Sequence, residues 1–249
     1  MASISSVVPE LLIHKKGGNA PLKRVANRFL ERLVTEMCSR SINFYERRSH
    51  IEPWHPLSYP ERSMYAVLAA SAAAISPVVL SEIPAPRHAK RGNGSSREGQ
   101  AGRLDLWMQL DSGCEVILEL KRRTIGLRRL SNGPVVSDRV MKGWTDVSHQ
   151  ADSLRRHTKD WSSKTIRIGL MVAYGYVSGK NELESVGDEE ALAYHYQLRE
   201  LAGLLTPEPA WEAYWIPPPR MRVINGENGT YEANPVVGFF AHIDSHKEV

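Results

Sequence analysis

Asp105, Glu119 and Lys121 are the residues of this chain whose types and spacing suggest chemistry. They stand in Gly102-Arg103-Leu104-Asp105-Leu106-Trp107-Met108 and in Val116-Ile117-Leu118-Glu119-Leu120-Lys121. Both stretches alternate apolar and polar residues, the period of a half-buried strand. Leu104, Leu106, Met108 and Leu110 share one face of the first, with Asp105 on the other. Cys114, Val116, Leu118 and Leu120 share one face of the second, opposite Ile117, Glu119 and Lys121. Between them Asp111-Ser112-Gly113 suits a short hairpin loop, because glycine can take the left-handed position. Pairing Leu110 with Cys114 aligns Met108 with Val116, Leu106 with Leu118 and Leu104 with Leu120, and sets Asp105 opposite Glu119. A slip of one residue would set acids against leucines, so the pattern strongly favours this register over residues 103–110 and 114–121.

Two carboxylates facing one another repel. A hard divalent cation with oxygen ligands is the natural compensation. Lys121, one pleat further along, could hold a phosphate or an attacking water beside such an ion. Two acids and a lysine on one strand face make a plausible phosphodiester-cleaving set. The plainer reading is a surface hairpin with a solvated polar face, since Leu-Glu-Leu-Lys alternation is common.

The set resembles the PD-(D/E)xK nuclease superfamily, whose pattern is an acid on one strand and then (Asp/Glu)-x-Lys on the next. Here that reads Asp105, then Glu119-Leu120-Lys121; Leu104 stands where the pattern has proline. The resemblance covers roughly residues 58–175. It implies an α/β fold with a three-layer restriction-endonuclease-like core: a central mixed β-sheet flanked by helices, in the order helix, three-stranded meander, helix, strand. It implies Mg²⁺, with Mn²⁺ able to replace it, on Asp105, Glu119 and the Leu120 carbonyl. It implies a further acid from the helix before the first strand, for which Glu61 is the best match and Glu36 the runner-up. Gln150 occupies the place of a glutamine on the following helix, although Leu154 stands where the RecB-like branch has tyrosine. The activity implied is hydrolysis of DNA, in a setting such as restriction or phage defence. The partners implied, besides double-stranded DNA, are a second copy of the chain or a separate motor or recognition subunit. The competing class is a non-catalytic nucleic-acid- or protein-binding subunit on the same fold; the intact acid-acid-lysine set favours the enzyme.

Charge agrees with a polyanionic partner. The 249 residues carry a net charge of +4, a mild attraction in itself. Its distribution says more: residues 120–160 hold ten Lys or Arg against four acids, and residues 180–249 five against twelve. Arg122, Arg123, Arg128, Arg129, Arg155 and Arg156 are the candidate nucleic-acid contacts, with a solvated charged face as the alternative. Trp107 and Trp144 read as core or wedge residues rather than base-stacking ones. Two cysteines, Cys38 and Cys114, make neither a disulfide framework nor a zinc site. The apolar run of residues 66–80 is broken by Ser71, Ser76 and Pro77, so a soluble, cytoplasmic protein without a membrane partner is expected.

The elements around the site follow from periodicity. Residues 1–20 read as poorly ordered. Pro21 opens a helix with the stripe Leu22, Val25, Phe29, Leu33 and Met37. Pro53, Pro56 and Pro60 mark a linker, which divides an N-terminal helical extension (residues 1–55) from the nuclease-like domain (residues 56–249). A second helix follows Pro60 to about residue 75, with Glu61, Met64, Tyr65, Leu68 and Ala72 on one face. A strand at 78–83, a basic proline- and glycine-containing loop at 84–101, the hairpin, a helix at 138–158 after Ser137, a strand at 165–177, a helix at 189–205 and a strand at 236–243 complete the expected order.

Overall fold

In the computed structural model, residues 11–15, 20–48, 55–58, 61–87, 100–127, 137–157, 164–180, 183, 185–225 and 229–244 are described. In chain order they form β1 (Leu11–Lys15), α1 (Pro21–Arg48), α2 (Glu61–Ala73), β2 (Val78–Arg87), β3 (Gln100–Gln109), β4 (Glu115–Gly126), α3 (Asp138–His157), β5 (Thr165–Lys180), α4 (Asp188–Leu204), β6 (Trp211–Trp215), β7 (Val223–Asn225), β8 (Thr230–Ala233) and β9 (Val237–Asp244).

The main path of the sheet runs β1-β6-β9-β5-β4-β3-β2, with β8 on the far end of β5 and β7 beside β8. β4 and β5 pair in parallel from Glu115↔Thr165 to Gly126↔Tyr176. A parallel pair needs a crossover, and α3 supplies it. The other described pairs are antiparallel. β4 and β5 are covered on both faces, which is why Val116–Leu118 and Ile168–Ala173 read as nearly unbroken apolar runs. On one face Phe29, Leu33, Met64 and Leu68 of α1 and α2 share a core with Leu106, Leu118, Leu120 and Leu170. On the other, Trp144, Val147 and Leu198 of α3 and α4 pack with Ile125, Met171 and Phe240. At Gly169 a Cβ would stand 2.6 Å from the Val147 carbonyl oxygen, so only glycine lets α3 sit this close to β5. The result is an α/β fold with a mixed central sheet flanked by helices, and its apolar core takes in α1 as well as the sheet.

Several expectations need correction. Part of residues 1–20 is ordered: Leu11–Lys15 forms β1 and pairs with Trp211–Trp215. The expected basic loop at 84–101 is shorter, because β2 continues to Arg87 and pairs with Gln100–Arg103 at the start of β3. Pro84 and Pro86 are tolerated there because β2 is an edge strand among the described residues, with a strand neighbour on one side only. The remainder of that loop, including Lys90, Arg91 and Arg97, lies outside the described residues. Strands β6, β7 and β8 were not expected. Trp144 belongs to the core, its indole N–H donating to the Pro207 carbonyl at 2.7 Å. Both cysteines are buried free thiols. No helix among the described residues is long and apolar enough to cross a membrane.

Candidate active site

The hairpin forms in the expected register as far as Leu106↔Leu118, short of the expected facing pair Asp105 and Glu119. Leu110 N–H donates to the Cys114 carbonyl at 2.8 Å, and Gly113 takes a φ of +75° in the loop. Pairing then runs from Gln109↔Glu115 to Leu106↔Leu118. There the ladder opens. Asp105 Oδ2 accepts the Leu120 N–H at 2.7 Å, so a side-chain oxygen takes an amide that a main-chain carbonyl would otherwise hold. The opposite edge of β3 is interrupted at the same place. Ser81 pairs with Leu106 and Ile83 with Leu104, and between them the strand register passes over Glu82, whose φ is a left-handed +52°.

This fork corrects the expected alignment of faces. Leu106 and Leu120 stay in the core under α2, whereas Leu104 packs with Ile117 and with Leu154 of α3. Leu104 therefore does not face Leu120. The side chains of β3 change sides at Asp105, which meets Tyr65 of α2 instead of pairing across a flat ladder.

Glu61, the first residue of α2, reaches into the fork. Its Oε1 stands 3.4 Å from Lys121 Nζ, and its Oε2 accepts the Arg122 N–H at 3.0 Å. It does more than complement the helix dipole. One turn later the Tyr65 phenol comes close enough to Asp105 for the two to perturb each other's titration. Glu119 is 1% exposed, and its charge is felt at Tyr65 beside those of Asp105 and Glu61. Asp105, Lys121, Glu61 and Tyr65, from three elements, thus lie together, and Glu119 of β4 is near enough to Tyr65 for its charge to be felt there.

Its electrostatics are those of crowded acids. Burial raises the Asp105 carboxyl above the usual range, and the neighbouring Glu61 pushes the same way. The hydrogen bond from Leu120 N–H, the nearby Tyr65 hydroxyl and the Lys121 charge oppose the rise without cancelling it. Burial also raises the Tyr65 phenol, helped by the surrounding carboxylates.

The remaining candidates sit as follows. Arg122 is turned inward: Nη2 donates to the Ser58 carbonyl at 2.6 Å and Nη1 to Thr124 Oγ1 at 3.1 Å, with the guanidinium 4.8 Å above the Tyr174 ring. Arg123 donates to the carbonyls of Arg122 at 2.8 Å and Arg139 at 3.2 Å, and lies against Gly143. Both guanidinium groups fasten β4 to its surroundings. Arg128 and Arg129 lie outside the described residues; Arg155 and Arg156 are on α3, with side chains outside them. Gln150 is on α3, one turn before Leu154, its Oε1 buried without a hydrogen-bond partner among the described residues. Glu36 faces Arg40 on the surface of α1 at 3.7 Å. The sequence reading missed Tyr65 as a polar member of the site, because a tyrosine on an apolar stripe reads as core; its spacing of four from Glu61 was the available signal.

Among the described residues no group of three or more His, Cys, Asp or Glu side chains is arranged to hold a metal ion. The donor chemistry nevertheless suits a hard divalent cation: a buried carboxyl group, Glu119, and a half-buried one, Asp105, whose pKa is raised, beside the main chain of Leu120. Comparison with protein-family models, with curated proteins and with solved structures returns no match.

Proposed function

We propose that this protein is a metal-dependent nuclease that hydrolyses phosphodiester bonds of DNA. The observation that carries the reading is the fork between β3 and β4, where Asp105, Glu119 and Lys121 gather with Glu61 from α2. The succession α2, β2, β3, β4, α3, β5, a meander followed by a helix and a strand parallel to β4, supports a restriction-endonuclease-like core.

Asp105, Glu119 and the Leu120 carbonyl would hold Mg²⁺, or Mn²⁺ in its place. A bound ion supplies an acidified water and neutralises charge on the phosphate. The protein's own groups do the rest. The Leu120 N–H holds Asp105 by one oxygen. Glu61 restrains Lys121 and, through the Arg122 N–H, ties β4 to α2. The Lys121 ammonium has three donors, and Glu61 engages one. The others are available to a phosphate oxygen or to the attacking water, where positive charge lowers the barrier. No covalent intermediate is required. By fold-level analogy the biological setting is restriction or phage defence, with a second copy or a separate motor or recognition chain as partner.

A second reading, a non-catalytic nucleic-acid- or protein-binding subunit, draws on the lack of a ready three-ligand group among the described residues. Circular and linear DNA incubated with the purified protein in Mg²⁺, Mn²⁺ or EDTA separates the two. The nuclease cuts in either metal and stops in EDTA. A protein that binds DNA or Mg²⁺ yet leaves every substrate intact is the non-catalytic one.

A further inference from the structure

Arg122 meets Glu61 from two directions. Its main-chain N–H donates to Glu61 Oε2 at 3.0 Å, and Lys121, the residue before it, places Nζ 3.4 Å from Glu61 Oε1. Its guanidinium reaches the turn Pro56–Ser58, where Nη2 donates to the Ser58 carbonyl at 2.6 Å. That turn is itself fixed. Ser58 N–H and Oγ both donate to the His55 carbonyl, at 2.9 and 2.6 Å, and the buried His55 ring meets the Trp215 ring edge-on at 5.2 Å. Ser58 precedes Glu61, the first residue of α2, by three residues. The side chain of Arg122 thus ties β4 to the turn from which α2 starts, and its amide holds the carboxylate that α2 brings in.

A side chain that served a phosphate would face water. Arg122 does not: Nη1 donates to Thr124 Oγ1 at 3.1 Å, the guanidinium lies 4.8 Å from the centre of the Tyr174 ring, and the buried Nε has no hydrogen-bond partner among the described residues. A buried donor without a partner destabilises a fold, and an outward pose would avoid that cost.

We propose that Arg122 is a positioning residue of the site: by clamping the turn before α2 to β4, it holds Glu61 where that carboxylate orients the Lys121 ammonium. The inference rests on the nuclease reading and assigns Arg122 a task other than the phosphate contact its type suggests. Its loss lets the start of α2 shift, so Lys121 is misaimed, while Asp105 keeps its bond from the Leu120 N–H. Misplacing a catalytic group by about 1 Å costs up to about 100-fold in rate.

The test is Arg122→Lys in the full chain, with Arg122→Gln for binding. Lysine keeps the charge but lacks the planar fork that spans Ser58 and Thr124. Melting curves in EDTA set an assay temperature at which every variant is folded. The expected result for Arg122→Lys is a kcat on DNA lowered by up to about 100-fold, with KM and the Mn²⁺ Kd close to wild type. Arg122→Gln should bind DNA with the wild-type salt dependence, since no phosphate contact is lost. In a Glu61→Ala background, which lacks both carboxylate contacts, Arg122→Lys should cause no further loss of kcat, because both act through one link. Wild-type kcat in Arg122→Lys, a shallower salt dependence in Arg122→Gln, or losses that multiply in the double variant each overturn this inference and leave the nuclease reading standing. A wild type that cuts no DNA in Mg²⁺ or Mn²⁺ overturns that reading, and this inference with it.

Discussion

Asp105 concentrates the physics of the site in one residue. Its folded-state pKa lies above the usual carboxylate range, mainly because the group is partly withdrawn from water. A carboxyl whose pKa is raised by folding contributes stability below its unfolded pKa and loses it as pH rises through the folded value. At neutral pH without metal, ionised Asp105 is thus a cost. Asp105→Asn keeps an acceptor for the Leu120 N–H and removes the charge. It should raise the melting temperature in EDTA at pH 7 by a few degrees, and the gain should vanish near pH 3. Equal melting temperatures of variant and wild type at pH 7 would show that the site compensates this charge without a cation. The three polar residues of the set were legible because each breaks an apolar alternation at a defined phase. Tyr65 was not, since a phenol on an apolar stripe reads as hydrophobic until the carboxylates near it are seen. Arg122 shows what a basic run does not reveal: its guanidinium donates to Ser58 and Thr124 and lies over Tyr174, while its buried Nε has no hydrogen-bond partner among the described residues.

Among the elements, the hairpin was the most legible, because alternation fixes register wherever one face is buried. The fork was not legible, because it comes from the left-handed backbone at Glu82, and a non-glycine residue there leaves no mark in composition. A left-handed conformation costs an ordinary residue roughly 1–2 kcal/mol. Glu82→Gly should therefore be stabilising by up to about 1 kcal/mol, whereas Glu82→Val should destabilise by at least as much, because β-branched residues avoid this region. Chemical denaturation of the two variants checks the sign of each. A stabilised Glu82→Val would mean that the turn at Asp105 is not strained. β1 and β6 escaped notice for a different reason. Each is five residues long, their partners are far apart in sequence, and Trp211–Trp215 is buried throughout and so shows no alternation. β2 was read as a loop beyond residue 83 because two prolines suggest a turn until the strand is known to be an edge.

For the whole molecule, the two faces of the sheet divide the work. The face under α1 and α2 carries the acid cluster, and β5, β6 and the turn before α2 close it with aromatic rings. His55 is completely buried there, 5.2 Å from the Trp215 ring and 6.0 Å from that of Tyr174. Burial, with the nearby Arg122 charge, lowers its pKa from 6.5 to about 3. Unfolding would let it protonate at once below pH 6.5, while folding keeps it neutral. Stability is therefore held above pH 6.5 and lost progressively as pH falls from 6.5 towards 3. The loss should amount to several kcal/mol at most, at about 1.4 kcal/mol per pH unit. His195, lowered to about 4 by burial and by His14 and Arg199, adds to the slope. Denaturant melts across this range should show a midpoint that declines with acidity, and His55→Phe should flatten the decline. A wild-type midpoint flat between pH 6.5 and 4 would contradict the buried, neutral imidazole.

The central claim is that one site at the fork of β3 and β4 cuts DNA with a metal. The most direct measurement compares wild type, Glu119→Gln and Lys121→Ala on circular DNA, with Mg²⁺ titrated against each protein. The account predicts cleavage by wild type alone. Glu119→Gln should lose metal affinity with activity, since it lacks an anionic ligand. Lys121→Ala should keep the metal and lose rate by several orders of magnitude. Full cleavage by both purified variants would contradict the assignment of this site.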